Sequence, residues 1–279
     1  MMRYLLLAMF VMLMNVYSHN TNADEMVTDT SDEPQTIIFG VVPQQATRVL
    51  EQLWGPLTQY LSDETGLPIR FATAKNIPSF EQELNQNAYD VAYMNPYHYI
   101  YFAKNNGYDA IAKQSNKHIK GILVTHKNSG IHSLQDLQDK TLAFPAPAAF
   151  AATILTKSGL NQNNISFSSR YVSTHDSVYL NVSKGFFAAG GGVMRTFNNM
   201  PSEIKDQLNI LWKTPPYTPH AFAAASDLPT EHKIAIQNAL ANMHLSDEGL
   251  QILNNLGMNN LETSSDQQWD DIRALNFSK

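Results

Sequence analysis

Short apolar runs alternate with helix-period stretches along most of the chain. Residues 36–42 (TIIFGVV) are a continuous apolar, β-branched run that predicts a buried strand, ended by Pro43. In residues 45–65, Val49, Leu50, Leu53, Trp54, Leu57, Tyr60 and Leu61 recur at helical spacing, and Gly66 closes the helix. A strand is expected at 67–72. A helix capped by Ser79 should run to about Asn87, followed by a strand at 89–94. A helix opening at Pro96 or Tyr97 reaches about Asn106, and strands follow at 108–112 and 118–126. The rhythm then restarts. Ser133 caps a short helix at 134–138, and a strand at 141–144 runs through Pro145 and Pro147 into a helix at 148–158, ended by Gly159. A strand at 166–172, a helix at 176–184 ended by Gly185, and a glycine-rich strand at 186–194 come next. A short helix at 204–208, strands at 208–212 and 220–225, and helices at 230–243, 248–256 and 266–274 complete the pattern.

Repeated β-α alternation implies parallel sheets with helices on both faces. The expected fold is α/β and two-lobed. Each lobe would be a mostly parallel sheet flanked by helices, and a two-strand hinge would join them. The first crossing is expected near 124–129. The second is expected near 214–225, around Pro215, Pro216 and Pro219. Lobe 1 would then hold residues 36–124 and 220–279, and lobe 2 residues 125–219. The crevice between them is where a ligand would sit.

The segment 141–157 is the first candidate site. A strand that feeds a helix N-terminus presents backbone N–H groups and partial positive charge, which suit an anion. Its helix opens on Ala148, Ala149, Phe150, Ala151 and Ala152, with no Ser, Thr or Gly to help hold a phosphate.

The amino end adds a location. Arg3 and the apolar run 4–14 (YLLLAMFVMLM) read as a secretory signal over residues 1–23, with a polar, acidic leader at 24–35. The run is too short for a bilayer, which needs about 20 residues. Cleavage would remove one basic residue and no acidic one. A periplasmic protein follows from this reading. The 279 residues carry 19 Lys and Arg against 25 Asp and Glu, a net charge of −6, which argues against a nucleic-acid partner. There is no cysteine, so disulfides, thiolate metal sites and cysteine nucleophiles are excluded. The 43% hydrophobic content is enough for a packed core.

Several polar residues fall where strands meet the crevice. Tyr93 ends a strand and either faces a ligand or belongs to the core; Asn95 follows on the turn. His175 lies between a strand and a helix and either binds or caps, while Asp176 or Ser177 can serve as the helix cap. Gly190-Gly191-Gly192 lacks the Gly-Lys-Ser/Thr of a nucleotide loop and points to close backbone approach. Arg195 offers a planar fork for an oxyanion or a surface ion pair. His220 is either a hinge or ligand group or a structural histidine. No paired carboxylates, catalytic triad or zinc spacing are found. No cofactor, metal or enzymatic activity is expected.

These segments also resemble a known family. Phe39-Gly40-Val41-Val42-Pro43, Tyr89-Asp90-Val91-Ala92-Tyr93-Met94-Asn95-Pro96, residues 129–137 with Lys140-Thr141-Leu142-Ala143-Phe144, and Thr174-His175-Asp176-Ser177 are similar in order and spacing to type II periplasmic solute-binding proteins. More narrowly, they are similar to the phosphate/phosphite/phosphonate-binding, PhnD-like subgroup that serves ABC importers, and so to the two-lobed periplasmic-binding-protein-like fold. The resemblance implies a small anionic solute, an inner-membrane ABC permease as partner, and a monomer. With the reading of Arg195 and His220 from their chemistry and position, it makes Tyr93, Asn95, Ala149, Phe150, Ala151, His175, Arg195 and His220 the expected ligand-binding set. In that family a Ser-Thr-Ser-like run holds the phosphonate; here the matching positions are Ala149, Phe150 and Ala151. No acid for an aminoalkyl group is present across residues 186–195. A sensory role beside a membrane histidine kinase and a thiamine-pyrimidine-synthase-like enzyme are the alternatives the fold allows.

Overall fold

The computed structural model describes residues 35–275. The expected signal segment and nearly all of the leader lie outside the described residues. From the amino end the chain forms β1 (Ile37–Val41), α1 (Thr47–Thr65), β2 (Ile69–Thr73), α2 (Ile77–Asn85), β3 (Val91–Met94), α3 (Pro96–Asn106) and β4 (Asp109–Gln114). It continues with β5 (Gly121–His126), β6 (Lys140–Phe144), a π-helix (Phe150–Leu155) and α4 (Thr156–Gln162). Then come β7 (Phe167–Tyr171), α5 (His175–Ser183), β8 (Ala189–Val193), α6 (Met194–Asn198), α7 (Ser202–Lys205) and β9 (Leu208–Lys213). The last elements are β10 (Ala221–Ala224), α8 (Thr230–Asn242), α9 (Asp247–Asn255), β11 (Leu261–Thr263) and α10 (Asp270–Arg273).

These strands make two sheets. The first has six strands in the order β11-β4-β10-β3-β1-β2, the second five in the order β7-β6-β8-β5-β9. In each sheet four strands run one way. The strand that arrives from the other sheet, β10 in the first and β5 in the second, is antiparallel to both its neighbours. This is the two-lobed α/β architecture expected from the alternation of strands and helices.

The cores explain why these segments fold as they do. On α1, Leu50, Trp54, Leu57 and Leu61 are buried along one stripe. Gly66 ends the helix at φ +69°, donating its N–H to the Ser62 carbonyl at 2.9 Å. Trp54 packs at the centre of the first lobe, with ring centroids 4.5 Å from Tyr93 and 6.1 Å from Phe222. In the second lobe the pleat of β5 sends Ile122 and Val124 to a core with Val178 and Tyr179 of α5. Leu123, between them, joins Leu142, Phe144 and Leu160 on the opposite face. Both faces of this sheet are therefore covered, and each buried large apolar side chain contributes roughly 1.5–3 kcal/mol.

Several boundaries differ from expectation, each for a physical reason. Val124 is mid-strand in the second sheet, so the first crossing lies at residues 115–120 and not near 124–129. The chain returns across residues 214–220, and an antiparallel bridge joins Ile119 to Tyr217 between the two crossings. Gly159 lies inside α4, which ends at Gln162; a Cβ at Gly159 would stand 2.1 Å from the Trp212 ring, so the glycine serves packing. Asn76, not Ser79, caps α2, accepting the Ser79 N–H at 2.9 Å. Thr174, rather than Asp176 or Ser177, caps α5. β11 was not expected at all.

Candidate functional site

The carboxyl ends of β1 and β3 in the first sheet meet the openings of the π-helix and α5 in the second. Asn95 caps α3 by accepting the His98 N–H at 2.8 Å, and its Nδ2 donates to the Ala148 carbonyl at 3.0 Å. The His175 N–H donates to the Gln44 carbonyl at 3.1 Å, and the Ala46 N–H to Asp176 Oδ2 at 3.3 Å. The last three of these bonds, from Asn95 to Ala148, His175 to Gln44 and Ala46 to Asp176, join elements of the two sheets directly.

Between them, Asn95, Ala149, Phe150, Ala151, His175 and His220, with Val42, Gln44 and Val193, surround a void of about 10 Å³. That is no more than a single water needs. Burial holds the histidines here neutral. His175 and His98 are both pushed down to about 3, and His220 falls well below its ordinary value, chiefly by desolvation and then by Arg195.

Beside this seam lies a cavity of about 570 Å³ lined by Tyr93, Arg195 and His220, with Gln114, Lys117 and Lys120 among its other walls. The Arg195 guanidinium lies 5.5 Å from the Tyr93 ring centroid and 6.0 Å from that of Trp54, and donates to Gln44 Oε1. No carboxylate pairs with it among the described residues. Because Arg195 only donates, it takes the oxygen of the Gln44 amide. Gln44 Nε2 must then donate across 3.0 Å to His220 Nε2, which places the His220 proton on Nδ1. This tautomer is the neutral form that burial favours. His220 also stacks on Tyr93, with centroids 5.0 Å apart and planes at 16°. Burial raises the Tyr93 phenol, so it stays a donor.

All eight residues expected from the sequence thus fall at one locus, divided between the sealed seam and the open cavity. Gln44, Gln114, Lys117 and Lys120 were not anticipated. Gln44 and Gln114 carry no motif; the basic cluster Lys117-His118-Ile119-Lys120 was a usable signal, submerged in an expected strand. Gly190-Gly191-Gly192 has no ligand role in the geometry. A Cβ at Gly191 would stand 1.9 Å from the Ala152 carbonyl oxygen, and one at Gly192 2.1 Å from the Tyr179 hydroxyl. The triplet lets β8 pass between the π-helix and α5. Among the described residues no group of three or more His, Asp or Glu is placed to hold a metal, and no helix is long and apolar enough to cross a membrane.

Residues 39–269 match the model of a family described as ABC transporter, phosphonate, periplasmic substrate-binding protein. The chain belongs to this family. It is accordingly the periplasmic substrate-binding component of an ABC importer, with a small-molecule ligand and a membrane permease as its partner. Solved structures agree on the fold. A binding protein component of an ABC phosphonate transporter from Pseudomonas aeruginosa superposes with a TM-score of 0.80 at 18% identity, covering 87% of this chain and 86% of that one. PhnD1 from Prochlorococcus marinus, in complex with methylphosphonate, gives 0.79 at 17% identity, covering 87% and 97%. A Xanthomonas citri protein bound to ATP gives 0.67 at 15% identity, covering 86% and 95%.

Proposed function

We propose that this phosphonate-family binding protein captures a small oxyanion between its lobes and presents it to the permease. The observation that carries the reading is Arg195, which among the described residues has no carboxylate partner and lies on a cavity wall that bears no Asp or Glu. A fixed guanidinium in a partly dry site is a strong oxyanion donor. Tyr93 and His220 complete the near wall. Asn95, Ala149, Phe150, Ala151 and His175 act one step away: they form the seam that the lobes make on closing about the crossings at 115–120 and 214–220. In this reading the mature chain is a monomer, residues 1–23 are a cleaved secretory signal, and no residue has a catalytic task.

The buried apolar faces of Ala149, Phe150 and Ala151 offer no hydroxyls to a phosphonate head. Phosphate and 2-aminoethylphosphonate should therefore bind weakly; sub-micromolar affinity for either by isothermal titration would contradict this. The broad test is a thermal-shift screen of phosphonates, phosphate esters, carboxylates and inorganic oxyanions. A true ligand at one hundred times its Kd stabilises by about 2.7 kcal/mol, which raises Tm by roughly 5–10 °C for a chain of this size. A screen in which only neutral or cationic solutes shift Tm would refute an anion site.

A further inference from the structure

We propose that the solute carries at least two anionic groups and no ammonium group, one anion held at Arg195 and the other at Lys117 and Lys120 on the first crossing. This rests on the reading of the cavity as an anion site and adds the chemical class. Among the described residues three Lys and Arg side chains line the cavity and no carboxylate does. A zwitterion such as an aminoalkylphosphonate would bring its ammonium among like charges with nothing to neutralise it. A lone phosphonate would satisfy Arg195 and leave the two lysines without a counter-charge.

The cations form two separate anchors. Arg195 opens α6 and is pinned against Gln44, Tyr93 and Trp54. Lys117 and Lys120 are exposed and lie on the segment between β4 and β5, and neither has an ion-pair partner among the described residues. Two donors on the cavity wall are unmet among the described residues. Gln114 Nε2 is buried without a hydrogen-bond partner among them. The Tyr93 hydroxyl makes no hydrogen bond among them either and is open to the cavity. A buried donor left unpaired, as at Gln114, carries a desolvation cost that an oxygen-rich ligand would relieve. The volume of about 570 Å³ lies within the range of pockets that take whole organic molecules, and exceeds what a single phosphonate group fills. The ligand class is thus an organic di- or polyanion, built from phosphate, phosphonate or carboxylate groups.

A matched series tests this by isothermal titration against the mature protein: methylphosphonate, phosphonoacetate and 2-aminoethylphosphonate. The three share the phosphonate and differ in gaining nothing, a carboxylate or an ammonium. Phosphonoacetate should bind at least tenfold more tightly than methylphosphonate, and 2-aminoethylphosphonate no more tightly than it. The double variant Lys117→Ala with Lys120→Ala should weaken phosphonoacetate at least tenfold more than methylphosphonate. Both lysines are exposed, so the variant should keep its Tm. If 2-aminoethylphosphonate matches or exceeds phosphonoacetate, or if the gap survives the double substitution, the second anchor is refuted while the anion site stands. If none of the three binds and the thermal-shift panel is silent for every anion, the anion reading itself falls.

Discussion

The seam and the cavity are built from neighbouring residues yet differ in what their polar groups have left to offer. In the seam, Asn95 caps α3 and bonds Ala148, while Gln44 serves Arg195, His220 and the His175 N–H. Its histidines are neutral and its void is about 10 Å³. In the cavity, Arg195 has charge to spare, and Tyr93 and Gln114 have donors to spare. Residue type alone does not separate the two regions, since each contains histidine and amide side chains. Unmet hydrogen-bonding and charge capacity does. In the proposed function, closure of the lobes would draw on the first region and recognition of the solute on the second.

Acid should break the seam with the largest effect. His98, His175 and His220 sit below their ordinary value of 6.5 because burial disfavours the cation. The unfolded chain therefore binds more protons than the native one between about pH 6.5 and about 3. Stability is full above pH 6.5 and is lost as pH falls toward 3. Glu81 and Asp176, raised by burial, act in the opposite direction over the carboxylate range and blunt the loss. Tm measured from pH 7.5 to pH 4 should drop steadily. Replacing His175 and His220 together by Gln should flatten the curve without abolishing the slope from His98.

Next in size is Arg195→Ala, which acts on the cavity. Loss of a charged hydrogen bond costs about 1.5–3 kcal/mol, or roughly 10–150-fold in affinity for the anion that scores best in the screen. Tm should change far less, because Arg195 is only part-buried. An affinity unchanged within threefold would move recognition out of the cavity. The smallest effect is expected from Asn95→Ala. It removes the α3 cap and the bond to Ala148, at about 1 kcal/mol of stability by thermal or denaturant melting. Its effect on anion affinity should be modest and seen mainly as faster release in stopped-flow measurements.

The sequence carried the architecture well because two periodicities do most of the encoding. The stripe of Leu50, Trp54, Leu57 and Leu61 and the run 36–42 each admit one reading. What escaped was short or depended on contacts distant in sequence. Leu261–Thr263 is a strand only because it lies beside β4, and three residues show no period. Phe150–Leu155 forms a π-helix, which a hydrophobic pattern cannot distinguish from an α-helix over six residues. Gly159 looked like a terminator because its partner, Trp212, lies fifty-three positions away. At the site, Tyr93, His175 and Arg195 could be nominated from strand ends and family likeness. Gln44 and Gln114 could not, since an amide acquires meaning only from what it faces. Nor could the sequence reveal that His175 is sealed while Tyr93 is open.

The two-bond bridge between Ile119 and Tyr217 has a mechanical consequence. The Ile119 N–H donates to the Tyr217 carbonyl at 2.8 Å, and the Tyr217 N–H returns to Ile119 at 3.0 Å. Two linkers tied at their midpoints cannot slide past one another or twist separately. If the lobes open and close as proposed, the tied linkers would bend as a single leaf and bring the lobes back to the same register each time. The permease would then meet one consistent outline of the loaded protein.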